Sequence, residues 1–250
     1  MSARGEFSSR IGFVLAASGS AVGLGNIWGF PSQVASNGGA AFVLMYLILA
    51  FLLAYPVLMA ELLIGRATKS NVVDALGQIS KGRSGRFVGI CGLITVSLIL
   101  AFYGIVGGWM LAHALEALAS LAGFTSVAQW LISFSLSRNI IFCALFMFLT
   151  VGIVSGGVVN GIERWSVRLM PTLFVIMVLL FAYVLTQQGA MEGLKVYLLP
   201  DFAQALNPDL LISAMGQAFF SMSLGVGTML IYGSYVSQKE NLPRLGAAVS

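Results

Sequence analysis

Residues 18–28 read Ser18-Gly19-Ser20-Ala21-Val22-Gly23-Leu24-Gly25-Asn26-Ile27-Trp28, and residues 220–228 read Phe220-Ser221-Met222-Ser223-Leu224-Gly225-Val226-Gly227-Thr228. Each stretch holds a Gly-x-Gly flanked by hydroxyls or an amide, and each sits inside an apolar run of membrane length. Glycine disfavours the helix and tolerates any backbone angle, so two glycines one residue apart invite the helix to unwind. Unwinding at that depth frees carbonyls and amides that lipid cannot satisfy. It is tolerated only around a buried ligand or a polar cavity. Small-residue spacing such as Gly19 with Gly23 also serves plain helix packing. Two matching interruptions at corresponding places make packing alone a poorer account.

Working outward, the composition supports a membrane setting. The chain has 250 residues, 58% hydrophobic and only 9% charged, with a mean hydropathy of +0.95. A soluble domain carries about 25% charged residues. The apolar runs do not alternate with polar residues, which selects an all-α transmembrane fold over a barrel. At roughly 20 residues per crossing, six spans are expected in one membrane domain over 1–250: 11–36, 39–64 with Pro56 inside it, 87–121, 140–154, 167–185 and 210–236. The tail from Leu245 to Ser250 reads as the start of a seventh helix, so the sequence looks cut before it. A cleavable signal peptide at the N-terminus is disfavoured, because the apolar character resumes past Gly25 and reaches full membrane length.

Charge orients the set. Arg4, Arg10, Arg66, Lys69, Lys81, Arg83, Arg86, Arg164, Arg168, Lys239 and Arg244 fall on one side, against Arg138 and Lys195 on the other. The excess places the N-terminus in the cytoplasm of a multi-pass cell-membrane protein. No basic stripe calls for nucleic acid. Cys91 and Cys143 lie within apolar runs and read as small core residues rather than a disulfide or metal site. His113 reads as packed or hydrogen-bonded. Glu61 and Glu116 are placed near span ends, on a solvated face or in loop contact. With no His-Glu-x-x-His, nucleophile elbow or paired intramembrane acids, an enzyme is not expected.

The two interruptions suggest what is bound. Freed carbonyls with the hydroxyls of Ser20, Ser221 and Ser223 suit a hard cation, and amides opening a half-helix suit a carboxylate. A zwitterion beside a sodium ion fits both. If span six repeats span one, the repeat unit is five spans, and the odd count inverts the second copy, as in many secondary transporters.

At this point the sequence resembles the neurotransmitter:sodium symporter family, in particular its bacterial amino-acid transporters. The likeness runs through 4–10 and 19–28, then Asn37-Gly38-Gly39-Ala40-Ala41-Phe42, Glu61 with Gly65-Arg66, Tyr103 with Trp109, Pro200-Asp201-Phe202, and 217–235. It implies the first five-helix repeat plus the sixth helix of the inverted-repeat fold, with helices one and six discontinuous. It also implies sodium-coupled symport of a neutral, hydrophobic or aromatic amino acid by alternating access.

By the same resemblance, the Ala21 carbonyl, Asn26 and Ser221 are expected at a first sodium site, and the Gly19 and Val22 carbonyls at half of a second. The Tyr103 hydroxyl and the amides of Leu24 and Gly25 would hold the substrate carboxylate. Ala21, Phe220, Ser221, Ser223 and Val226 would border the substrate, and Tyr103 with Phe220 would form an aromatic lid. Arg4, Phe7 and Tyr235 are expected in a cytoplasmic gate, and Tyr46, Gln217 and Ser221 where chloride-dependent relatives hold chloride. Gly23 favours a substrate that brings its own carboxylate over a monoamine, and Val226 a larger side chain. Three features depart from the family pattern: Gly29 where an outer-gate arginine is usual, Ser36 where a glutamate is frequent, and the length. Family members have eleven or twelve spans, so transport by this stretch alone is not expected. A half-length membrane scaffold is the alternative, one that needs a partner supplying the missing helices, or self-association.

Overall fold

The computed structural model describes residues 5–250, apart from the side chain of Gln204. Helix α1, Arg10–Ala21, starts where Ser9 is extended and its hydroxyl accepts from the Gly12 amide, satisfying one orphan donor of the first turn. It breaks after Ala21. Helix α2, Gly25–Ser36, resumes at an angle of 58° and opens with a π-helical turn over Gly25–Gly29. The first apolar run is thus two half-helices.

Helix α3 covers Ala40–Thr68 and widens into a π turn at Ala50–Ala54 just before Pro56. Proline lacks an amide and crowds the carbonyl one turn back, and a wider turn accommodates it. A short helix α4, Val72–Ile79, capped by Asn71, leads to α5, Arg83–Leu121. At 1.5 Å per residue α5 is about 58 Å long, well beyond the hydrocarbon thickness. Then come α6, Thr125–Ile132, α7, Leu136–Ser155, and α8, Val158–Leu185, whose first turn is again π-helical at Val158–Glu163. The short α9, Ala190–Leu198, and α10, Phe202–Ala205, precede α11, Pro208–Ser221. After a non-helical stretch at 222–227 follow α12, Thr228–Ser234, and α13, Leu242–Val249.

Several helices begin or end a turn or more beyond the apolar limits read from sequence. Arg66, Arg83, Arg86, Arg138, Arg164 and Arg168 all lie within helices. Hydropathy marks where lipid ends, whereas a helix ends where its backbone bonds end. Arg138 has no exposed surface; its Nε donates to the Leu131 carbonyl at 2.9 Å, and its guanidinium lies over Phe134 and Phe142.

Among the described residues, α3, α5, α7 and α8 are each long and apolar enough to cross a membrane, and the bent α1–α2 pair makes a fifth span. The α11–α12 pair has 14 and 7 residues around its longer break and runs alongside α3 in the same direction, α11 against its first half and α12 against its second. The main core gathers Phe13, Ala17, Leu58, Leu62, Met222, Met229 and Leu245 from α1, α3, the α11–α12 region and α13. Leu98, Phe148 and Phe174 on α5, α7 and α8 are about 70% exposed, which calls for an apolar solvent around them. The chain is a multi-pass membrane protein, and the two broken helices lie at its packed centre.

Candidate functional site

The site begins at the gap between α1 and α2. With the helix open after Ala21, the Ala21 carbonyl lacks the helical partner it would otherwise have. The Asn26 side chain, on the π turn of α2, donates Nδ2 to that carbonyl at 2.7 Å. Its Oδ1 accepts from Ser221 Oγ at 2.6 Å and from Gln217 Nε2 at 3.1 Å, and Gln217 also donates to Ser221 Oγ at 3.3 Å. Gln217 and Ser221 occupy the last two turns of α11, and Ser221 is 4% exposed. The Ala21 carbonyl oxygen, the Asn26 side-chain oxygen and the Ser221 hydroxyl thus gather around one side-chain amide between the two breaks, the carbonyl on its nitrogen and the hydroxyl on its oxygen. All three are neutral oxygens, the donor type suited to a hard cation.

The second break is tied to the first and to α3. Ser223 sits in the left-handed region at φ 53°, a conformation uncommon for a residue with a Cβ. Its hydroxyl donates to the Ser20 carbonyl at 3.1 Å. On the other flank, Glu61 of α3 accepts from the Gly225 amide at 2.7 Å through Oε1 and from the Leu230 amide at 3.3 Å through Oε2. Of the two roles read for Glu61, a solvated face or a loop contact, the structure shows the second, through the Gly225 amide of the non-helical stretch. Glu61 is half-buried within α3 and supplies acceptors to amides that the unwound stretch and the first turn of α12 leave open. Glu116 is also half-buried and accepts from the Ser120 hydroxyl at 2.7 Å, and His113 bonds the Trp109 carbonyl.

Two cavities follow. The central one, about 230 Å³, is lined by Ser20, Ala21, Gly23, Tyr103, Phe220 and Val226, among others. An outer one of about 550 Å³ extends along α2 past Leu24, Gly25, Trp28 and Gly29. Ile99, Tyr103 and Phe220 line both, so the two aromatic rings stand at the divide. Glycine is required for this closeness. A Cβ on Gly25 would fall within the Phe220 ring, and one on Gly23 would lie 3.1 Å from the Tyr103 hydroxyl. At Gly29 a side chain would meet nothing within 4 Å, so packing does not explain the glycine there.

Of the residues singled out from sequence, Ala21, Asn26, Ser221 and Gln217 share one hydrogen-bonded cluster, while Gly23, Tyr103, Phe220, Ser223 and Val226 line the central cavity. Leu24 and Gly25 line the outer cavity instead. Gly19 faces α8, with Met170 at 3.3 Å from its Cβ position, and Val22 donates its amide to the Ser18 carbonyl; neither belongs to the Asn26 cluster. Tyr46 packs edge-on to Phe30 and makes no hydrogen bond to Gln217 or Ser221 among the described residues. Phe7 touches Phe13, Tyr232 and Tyr235, and its amide donates to the Tyr235 carbonyl at 3.2 Å. Arg4 lies outside the described residues.

Comparison with known proteins bears on the family and the fold. The profile of the sodium:neurotransmitter symporter family matches residues 4–139 and 129–250. An uncharacterized sodium-dependent transporter, YhdH, of Bacillus subtilis (strain 168) is 40% identical over 249 residues, covering 98% of this chain and 55% of the relative. One from Haemophilus influenzae is 32% identical over 254 residues, covering 96% and 55%. The sodium- and chloride-dependent taurine transporter of Rattus norvegicus is 29% identical over 285 residues, covering 95% and 45%. The crystal structure of MhsT in complex with L-phenylalanine superposes with a TM-score of 0.83 at 38% identity, covering 99% of this chain and 57% of MhsT. The chain spans about half the length of the curated relatives it matches.

Proposed function

Because the chain belongs to the sodium:neurotransmitter symporter family, we propose that it carries the binding half of a symporter that moves a neutral, hydrophobic or aromatic amino acid together with sodium by alternating access. The observation that carries this reading is the meeting of the Ala21 carbonyl, Asn26 and Ser221 between two broken helices. In it, Ala21, Asn26 and Ser221 take the first sodium ion, while the Gly19 and Val22 carbonyls contribute to a second. The Tyr103 hydroxyl and the Leu24 and Gly25 amides take the substrate carboxylate. Phe220, Ser223 and Val226 border the side chain. Cation and carboxylate then lie side by side, and each favours the other's binding.

Gly23 supports an amino acid over a bare amine, since the Tyr103 hydroxyl already occupies the space a side chain there would need. The L-phenylalanine bound by MhsT supports an aromatic substrate. Chloride at Tyr46, Gln217 and Ser221 is supported only by relatives named as chloride-dependent. In this reading the N-terminus lies in the cytoplasm, where Phe7 and Tyr235 close the inner side.

In this reading these 250 residues do not transport by themselves. Both cavities take their walls, among the described residues, from the α1–α2 region, α5 and the α11–α12 break, and Phe220 is half-exposed. Polar backbone beside so open a site needs cover from further helices or from a second copy. The test is binding of radiolabelled phenylalanine to purified protein in sodium chloride and in choline chloride. Sodium should tighten binding by an amount equivalent to about 1–3 kcal/mol, and equal affinity in the two salts would overturn the reading. Saturable uptake by a proven monomer in liposomes would show that these residues suffice for transport.

A further inference from the structure

Glu163 is a carboxylate the site does not use. It ends the π-helical turn that opens α8, and it is 4% exposed. No cation pairs with it among the described residues. Its three partners all come from the segment leading into α1: Ser8 donates its amide to Oε2 at 2.8 Å and its hydroxyl to Oε1 at 2.6 Å, and the Ser9 hydroxyl donates to Oε1 at 3.1 Å. The same Ser9 hydroxyl accepts from the Gly12 amide at 2.9 Å. A relay therefore runs from the first turn of α1, through its cap, into the carboxylate, and each bond polarises the next. Gly12 completes the fit. A Cβ there would overlap the carboxylate, so α1 lies directly on Glu163.

Phe7 packs this segment onto the core, but its ion pairs hold it more loosely. Arg10 pairs with Glu240 and Lys69 with Glu6, but Arg10 is 62% exposed and Glu6 46%, and salt screens such pairs. Bonds to a buried carboxylate are charge-assisted and unscreened. When α1 leaves α8, Glu163 loses all three donors at once and must find water. That cost falls on one motion, the separation of the first half of span one from α8.

We propose that Glu163 is a positioning residue: a buried latch that holds the first half of span one closed against α8 and so sets how often the inner side of the site opens. The inference rests on the alternating-access reading above, but its test does not. The full chain, in lipid nanodiscs and with Cys91→Ser and Cys143→Ser, would carry a single reporter, Ala17→Cys, at a residue with no exposed surface in the main core. A membrane-impermeant maleimide then reports how often α1 lifts. Glu163→Gln, and separately Ser8→Ala with Ser9→Ala, should each raise the labelling rate roughly tenfold or more. Gly12→Ala, which displaces the carboxylate from the other side, should do the same.

A second reporter, Ala41→Cys in the separate cluster around Phe42, should stay unreactive. Rates within about twofold of the parent in all three variants, or a parallel rise at Ala41→Cys that marks general loosening, would overturn the latch. Sodium separates the two ideas. A latch effect that sodium does not modify leaves the latch standing and counts against the transport reading. Protection of Ala17→Cys by sodium, with no effect of Glu163→Gln, counts the other way.

Discussion

Replacing Asn26 by alanine tests the site at its most connected atom pair. The wild-type side chain makes three hydrogen bonds, to Ala21, Ser221 and Gln217. Without sodium, the variant loses bonds worth about 0.5–1.5 kcal/mol each, or roughly 2–4 kcal/mol in sum, reduced where Gln217 re-pairs with Ser221. Sodium amplifies the difference. At a concentration 100 times Kd, a ligand that binds only the folded state stabilises it by about 2.7 kcal/mol. A methyl group cannot replace the amide oxygen as a ligand. If the substitution weakens sodium binding tenfold, about 1.4 kcal/mol of that stabilisation disappears at the same salt. The assay is the melting midpoint in nanodiscs over a sodium titration, with choline holding ionic strength constant. The variant should melt lower throughout and show a clearly smaller sodium-dependent rise. A sodium-dependent rise equal to that of the parent would refute the assignment of Asn26 as a ligand, whatever happened to the baseline. Cys91→Ala and His113→Ala serve as controls and should stay within about 0.5 kcal/mol of the parent.

Glu61→Gln places an amide donor against the Gly225 or Leu230 amide, and we expect a loss of about 1–3 kcal/mol in stability; an unchanged melting midpoint would count against its backbone role. Gly25→Ala should displace the Phe220 ring and weaken phenylalanine binding by about tenfold or more, read by equilibrium dialysis, and wild-type affinity would show that the ring is not held there. The hydrogen bond and charge of Lys69 hold the Glu6 carboxyl below its ordinary value, so the contact is complete above the usual glutamate pKa and is lost as pH falls through the lowered one. The protection of the amides of residues 5–10, taken relative to their intrinsic exchange rates, should therefore fall only on the acid side of the ordinary glutamate value, and Lys69→Ala should abolish that pH dependence.

How much of this was legible in the sequence depends on how local each signal is. Both breaks announce themselves through Gly-x-Gly motifs in apolar runs, because the cause of the unwinding lies in the unwound residues. Ser221 could be named from those motifs, and Asn26 through the family resemblance. Helix ends were harder to read: Arg138 and Arg164 look like loop residues by hydropathy, yet they lie within helices because their backbone bonds continue. The carboxylates were the least legible. Glu61 binds an amide 164 positions away, and Glu163 binds serines on the far side of the chain. Neither partnership leaves a spacing signature near the acid. A stricter rule would have found Glu61: an acid inside an apolar span needs a donor, and the broken helix elsewhere in the sequence supplies spare amides.

Glu61 also explains how the two breaks can coexist with the proposed neutral cation site. An unwound helix leaves both amides and carbonyls open. If the carbonyls and side-chain oxygens are to face a cation, the amides need an acceptor elsewhere, or they compete for the same oxygens. Glu61 accepts from Gly225 and Leu230 on the α3 side, so those amides do not turn inward. The Ala21 carbonyl, Asn26 and Ser221 are left to pair chiefly with one another and with Gln217. The Glu61 carboxylate faces the backbone amides, and the proposed cation site itself holds no acidic side chain. In the proposed mechanism the charge that completes it arrives with the substrate's carboxylate, which ties occupancy of the ion site to occupancy of the cavity between Tyr103 and Phe220.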